Sequence, residues 1–407
     1  MITKLPKIAI VVPNLTDRGG IPAVASFIYQ AIHNSSKYTA EYISIPMSSH
    51  DNASVRLVSP RTWLDGIKVV DDFWNGKPFR HVGALFTEFE FQRYHPRSKL
   101  TALLNNYDLI QVVAGSPAWA LVAKYVNQPV VLQVATLTSI ERRKRLLEET
   151  GLYGLWFRNM TRITEYMDIR ALKYVDRVLV ENQWMCDLLS HKADASKVIF
   201  APPGVDTSLF KTKGTARSDE SYILSVGRFN DPRKNIELLF KAYYQLKQIL
   251  PNAPRLFLAG QSPPPPSAWD IARSFGITPF IQYYAKCNQN ELISLYQNAS
   301  LFVLSSDEEG LGVVILEAMA CGLPIVSTRC GGPETSITEG VNGFLTPLND
   351  KHTLAVRMKD LLTNPVLCRA FGRKSRQLAE ENFSLDKAGQ KFLDVYDDLL
   401  KDKIGGK

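Results

Sequence analysis

The sequence predicts an α/β protein built from two doubly wound parallel-sheet domains. Three observations carry this. At 407 residues the chain exceeds a single ordinary core, since domains run about 100 to 200 residues. Short β-branched runs alternate with stretches at helical spacing, the pattern of parallel strands joined by crossover helices. Finally, the strand series stops at "APPGVDTSLFKTKGTARSDES" (201–221), where polar residues, Gly and Pro accumulate before a fresh strand opens at Tyr222.

In the first half the expected strands are "KIAIVV" (7–12), "LIQVV" (109–113), "PVVLQV" (129–134), "RVLVE" (177–181) and "VIFAPP" (198–203). In the second half they are "YILSVG" (222–227), "RLFLAG" (255–260), "FIQYYA" (280–285), "LFVLSS" (301–306) and "PIVST" (324–328). Helices are expected between them, including 236–250 and 291–297. The tail "FSLDKAGQKFLDVYDDLLKDK" places Phe392, Leu393, Val395, Tyr396 and Leu399 on one helical side, so it needs a surface to cover. The boundaries that follow are 1–203 for the first domain and 204–384 for the second, with 385–407 as a final helix.

Composition sets the class. Apolar residues make up 45% and charged residues 22%, the balance of a folded globular chain. No apolar run reaches the roughly 18 residues that span a bilayer, so a cytoplasmic protein is expected. Five cysteines without CxxC or Cys/His spacing indicate neither a disulfide frame nor a zinc site. Of the net charge of +8, residues 1–203 hold +6, from 24 Lys and Arg against 18 Asp and Glu. That bias favours an anionic partner. Nucleic acid is not expected, because no recognition motif or dense basic stripe is present.

The stretch "DEEGLGVVILEAMACG" (307–322) carries the strongest chemical signal. A glycine-studded turn leads into a helix, so the backbone amides of Gly310, Leu311, Gly312 and Val313 are expected to seat an anion at the helix N-terminus. Glu309 before that helix and Glu317 inside it could both receive hydroxyls from whatever the anion carries, as charged acceptors do strongly. Taken singly, Glu309 could equally complement the helix dipole, and Glu317 could be a solvated helix position. Against the second alternative, Glu317 stands among Ile315, Leu316 and Met319, where an unpaired acid is costly.

A second cluster, "SVGRFNDPRKN" (225–235), places Arg228 just after a strand and Lys234 at the opening of a helix. Two such cations suit a diphosphate, above all one whose charge grows as it departs. A third, "RGGIPAVAS" (18–26), sets Gly19 and Gly20 before a helix, where the backbone allows close approach. It is neither the GxGxxG fingerprint nor Walker A, which lowers the case for a dinucleotide oxidoreductase or a P-loop enzyme.

Together these stretches, with "APPGVDTSLF" (201–210) and "GGPETSITEGVNGFLTP" (331–347), resemble the retaining GT-B glycosyltransferases of family 4, the glycosyl transferases group 1. The resemblance is strongest over about 198–350 and carries the Glu-x7-Glu spacing of Glu309 and Glu317. It implies two Rossmann-like domains facing a cleft, the first on the acceptor side and the second holding a nucleotide-sugar, with the final helix crossing back to the first. It also implies roles. Arg228 and Lys234 hold the donor diphosphate, Glu309 contacts the transferred sugar, and Glu317 binds the ribose. Gly19 and Gly20 approach the diphosphate or acceptor, and Lys286 in "YYAKCNQNEL" (283–292) lies near the base.

The implied activity moves a sugar from a UDP- or GDP-sugar to a hydroxyl of a saccharide or lipid-linked acceptor, in cell-envelope or exopolysaccharide synthesis. No cofactor and no metal are expected, because Arg228, Lys234 and helix amides supply the positive charge. Some positions depart from the family pattern. Ala285 replaces a usual Gly, "QVVAGSPAW" (111–119) replaces a His-rich strand end, and Ala135 stands where many members place a histidine. Ala135 leaves open a second reading, a weak or inactive relative that binds a nucleotide or glycan and acts through a partner. Residues 141–177 interleave nine cations and six acids with aromatic and aliphatic side chains, the pattern of a solvated helix packed on the domain or, as the other reading, of peripheral contact with the inner membrane face.

Overall fold

The computed structural model describes residues 5–15, 19–213 and 222–404. Most of the polar half of the expected linker, residues 214–221, therefore lies outside the described residues, as does the stretch 16–18. The chain divides into two compact units, Met1–Pro203 with Ala388–Lys407, and Gly204–Lys387.

The first unit is built on an eight-stranded sheet. Its strands are β1 (Lys7–Pro13), β2 (Thr39–Ile45), β3 (Val69–Trp74), β4 (Lys77–Val82), β5 (Leu109–Ala114), β6 (Val130–Val134), β7 (Arg177–Val180) and β8 (Val198–Phe200). Their order is β3-β4-β2-β1-β5-β6-β7-β8. All neighbours are parallel except β3 and β4, an antiparallel edge hairpin. The central strands are apolar on both faces, as a sheet covered on two sides requires; β5 is buried throughout.

The second unit holds β9 (Tyr222–Val226), β10 (Leu256–Gly260), β11 (Ile281–Ala285), β12 (Ala299–Leu304), β13 (Ile325–Thr328) and β14 (Gly343–Thr346), all parallel, in the order β11-β10-β9-β12-β13-β14. Two apolar clusters flank this sheet, one around Phe240, Tyr243 and Met358 and the other around Phe302, Leu316 and Met319.

β2, the β3–β4 hairpin and β14 escape the sequence pattern. β3 is exposed along nearly all its length and alternates weakly, while β14 has only four residues. The strand expected at 301–306 runs from Ala299 to Leu304, leaving Ser305 and Ser306 in the loop beyond it.

The final helix, Leu385–Ile404, covers the first unit with its apolar side. Phe392 meets Phe27 edge-on with ring centres 5.4 Å apart. The buried Tyr396 hydroxyl donates to Gln111 Oε1 at 2.7 Å, and Lys37 pairs with Asp397 at 2.8 Å.

In each sheet the chain reverses its direction of growth once. The gap between β1 and β5 is this switch point in the first unit, and the gap between β9 and β12 in the second. Ligands of open α/β sheets bind outside the strand carboxyl ends at such points.

Candidate functional site

Arg228 and Lys234 follow β9, and the loop 305–312 follows β12, so both charged motifs converge on the second unit's switch point. The turn after β9 is shaped by Asp231. Its carboxylate accepts from the Arg233 amide and guanidinium and pairs with Arg228 Nη2 at 3.2 Å. Burial works to raise the Asp231 pKa, but the Arg233 hydrogen bond and charge outweigh it and bring it below the ordinary value. Asn235 then takes a left-handed conformation, φ 42°, and its side chain caps the helix Ile236–Ile249 by accepting from Leu238 N.

The two loops are fastened together by several hydrogen bonds and an ion pair. Ser305 Oγ donates to the Lys234 carbonyl at 3.0 Å, and Asn235 Nδ2 donates to Asp307 Oδ1 at 2.7 Å. The Asp307 amide donates to the Arg233 carbonyl at 2.7 Å. Lys234 Nζ reaches Glu309 Oε1 at 2.5 Å, and Ser306 Oγ donates to the same oxygen at 2.7 Å. The Lys234 and Glu309 side chains are only 18% and 9% exposed, so this pair is held well inside the loop surface. Arg228 is half open to water and is anchored within its own turn.

The Glu309 backbone is fixed in turn by the segment after β13. Its amide donates to the Cys330 carbonyl at 3.2 Å. A Cβ on Gly332 would fall 2.8 Å from the Gly310 carbonyl oxygen and 2.9 Å from that of Glu309, so only glycine lets these chains lie this close.

The helix after this loop starts later than the sequence suggests. It spans Val313–Ala320, with Gly312 as its left-handed cap at φ 77°. Gly310 and Leu311, expected as donors of its first turn, therefore belong to the loop. Leu311 instead buries its side chain in the apolar cluster. The reason is local: Gly312 in the left-handed region cannot continue the helix backward, so the terminal amides are those from Val313 onward.

Glu317 is half-buried, with its carboxylate turned inward. Its Oε2 accepts from the buried Tyr296 hydroxyl at 2.7 Å, and burial pushes its pKa up to about 7 although that hydrogen bond opposes the rise. The acid is thus largely protonated below neutrality and largely charged above it. Tyr296, Ser306, Asn235 and Gly332 are the site residues that sequence reasoning did not single out. The "SS" preceding "DEEG" and the "GGP" after β13 were the available signals.

The remaining candidates stand on other elements. Lys286 is exposed just past β11, with φ 51° and its amide donating to the Gly260 carbonyl at 3.1 Å. Gly19 and Gly20 are in the first unit, where Gly20 opens the helix Gly20–Ser35 after β1. A Cβ at either would meet nothing within 4 Å, so no packing among the described residues demands glycine there. Ala135 follows β6, its amide donating to the Ala114 carbonyl at 3.3 Å. Among the described residues no cluster of three His, Cys, Asp or Glu side chains is arranged to hold a metal, and no helix is long and apolar enough to cross a membrane.

Comparison with known proteins agrees with the motifs. Residues 206–378 match the family model of glycosyl transferases group 1. N-acetyl-alpha-D-glucosaminyl L-malate synthase of Bacillus anthracis is 28% identical over 201 residues, 49% of this chain and 51% of that protein. D-inositol 3-phosphate glycosyltransferase of Thermobifida fusca is 32% identical over 189 residues, 42% of this chain and 43% of that one. The chain spans about half the length of the curated relatives it matches. Among solved structures, sucrose-phosphate synthase from Thermosynechococcus elongatus superposes with a TM-score of 0.75 at 18% identity, covering 97% of this chain and 99% of that one. HepE from Anabaena in complex with UDP-glucose gives 0.71 at 17%, covering 97% and 100%. The chain resembles the glycosyl transferases group 1 in sequence and has the GT-B fold.

Proposed function

We propose that this protein transfers a sugar from a nucleoside-diphosphate sugar to a hydroxyl of a saccharide or lipid-linked acceptor, with retention of configuration and without a metal ion or other cofactor. The observation that carries the reading is the pairing of Lys234 with Glu309 at the switch point between β9 and β12. It is one cation and one acid, side by side, where an α/β sheet receives its ligand. HepE, which shares the fold, is described with UDP-glucose, and the matched relatives are named as glycosyltransferases or synthases of glycosyl products.

In this reading Arg228 and Lys234 face the diphosphate and stabilise the charge that grows on it as the sugar bond breaks. Glu309, released from full pairing by the incoming phosphates, accepts from sugar hydroxyls, and Glu317 accepts from the ribose. Both acids are binders. Retention is accounted for by departure and attack on one face of the sugar, the leaving phosphate oxygen taking the acceptor proton. Two acids flanking a scissile bond would instead mark a glycosidase. Lys286 serves the base, Val313 with Gly310, Leu311 and Gly312 lines the phosphate side, and Gly19 and Gly20 admit donor or acceptor closely. A role in cell-envelope or exopolysaccharide synthesis, at the cytoplasmic face of the membrane, follows from this acceptor class.

The test is thermal stabilisation by a panel of nucleotide sugars, followed by donor hydrolysis. A true donor at about 100 times its dissociation constant adds about 2.7 kcal/mol. If no nucleoside-diphosphate sugar stabilises the protein, the reading fails. A second reading rests on Ala135: stabilisation by a donor with no hydrolysis or transfer would mark a binding protein that acts through a partner.

A further inference from the structure

We propose that the outward face of the helix Gly151–Tyr174 is a docking surface for an anionic lipid bilayer. The inference does not rest on the glycosyl-transfer reading. In sequence the segment 141–177 mixes nine cations with six acids, a poor membrane signal. Along the helix itself the fold separates them, although Glu148 stays exposed ahead of it. Asp168 turns inward and accepts the Ala118 and Thr138 amides at 2.8 and 3.0 Å. Asp176 accepts from Val130 N at 2.8 Å, and Glu149 pairs with Arg145 at 3.2 Å ahead of the helix. Glu165 is half-buried. Every exposed charged residue from 152 to 173 is then a cation: Arg158, Arg162, Arg170 and Lys173.

The same face is apolar between those cations. Leu152 is 88% exposed and Tyr166 61%, with Leu155, Trp156, Ile163 and Ile169 also open to water. The opposite face, Gly154, Phe157, Thr161, Thr164, Asp168 and Ala171, is buried on the unit. Scattered exposed apolar residues are ordinary, but a stripe of them along a helix about 36 Å long is not. Aliphatic residues with Trp and Tyr, rimmed by Arg and Lys, suit the boundary between acyl chains and anionic headgroups. A second copy is a poorer occupant, because a two-fold contact would set the basic rim against its own image.

The experiment is co-flotation of the full chain with phosphatidylcholine vesicles, with or without about one-third phosphatidylglycerol. Flotation is expected only with the anionic vesicles and should weaken in high salt. Arg162→Gln with Arg170→Gln should lower partitioning about 25-fold, at about five-fold for each cation. Trp156→Ala with Tyr166→Ala should lower it as well. Both double variants should keep cooperative melting and any stabilisation by nucleotide sugar, which separates this proposal from the donor reading. Absence of flotation, equal flotation with neutral vesicles, or flotation unchanged in both variants would overturn it. So would self-association abolished by the Trp156 and Tyr166 changes.

Discussion

The two switch points share an architecture and use polar groups in opposite ways. In the second unit, after β9 and β12, Lys234, Glu309, Ser306 and Asn235 form a charged cluster whose hydrogen bonds join two loops. In the first unit, after β1 and β5, the described residues are Asn14, Leu15, Gly19, Gly20, Gly115 and Ser116, followed by Pro117–Ala123, all seven of them buried. The main acid nearby, Asp168, is consumed by holding the starts of two short helices through their amides. Burial lifts its pKa to about 6 even against those bonds. One unit commits its polar groups to its own fold, whereas the other holds a cation and an acid together where a ligand would arrive. Among the described residues the first presents mainly backbone and the second presents charge.

That contrast can be broken most directly at Lys234. Lys234→Ala should lower turnover at saturating donor by about 10² or more, as loss of a charge-stabilising donor does, with little change in the melt of the first unit. Unchanged turnover would remove Lys234 from the site.

Asp168→Ala should do the reverse. Two buried amides lose their acceptor at about 1 to 3 kcal/mol each, so the first unit should melt at markedly lower temperature while donor stabilisation of the second persists. A variant as stable as the parent would show that Asp168 is not structural.

Glu317 gives a smaller effect with a defined sign. Its folded pKa, about 7, lies above the ordinary 4.5, so between these values the folded state binds more protons than the unfolded one. Stability therefore falls as pH rises from about 4.5 to 7 and levels off above, by roughly 3 kcal/mol for this group. Glu317→Gln should abolish that slope and melt higher than the parent at pH 8 without ligand, while binding the donor less well. Parallel pH–stability curves for parent and variant would refute the assignment.

The smallest structural effect is expected at Gly20→Ala, where the added methyl meets nothing. The melting temperature should hold or rise slightly, since alanine favours the helix, while activity falls if ligand approaches that backbone. Full activity would remove the Gly-Gly turn from the site.

Much of this was legible in the sequence because the signals are local. The strands at β1, β5, β9 and β10 are apolar runs that no solvent-facing strand could carry, and the tail helix shows its apolar side at helical spacing. The Glu309–Glu317 spacing and the Arg228–Lys234 turn are equally local. The exposed β3–β4 edge was not legible, because a strand open to water needs no apolar alternation. The start of the helix at Val313 was missed because one left-handed glycine, Gly312, decides it.

The sequence by itself determined the alternation of strand and helix, the division into two units and the identity of the charged groups, since each depends on neighbours a few residues away. Only the tertiary structure decided which charges meet. It set Lys234 against Glu309 across 75 residues, turned Glu317 onto Tyr296, and drew Asp168 inward while leaving Arg162 and Arg170 in water. The physical reason is that a charge's state depends on its burial and on its partner. Both are fixed by segments remote in the chain, which local periodicity does not encode.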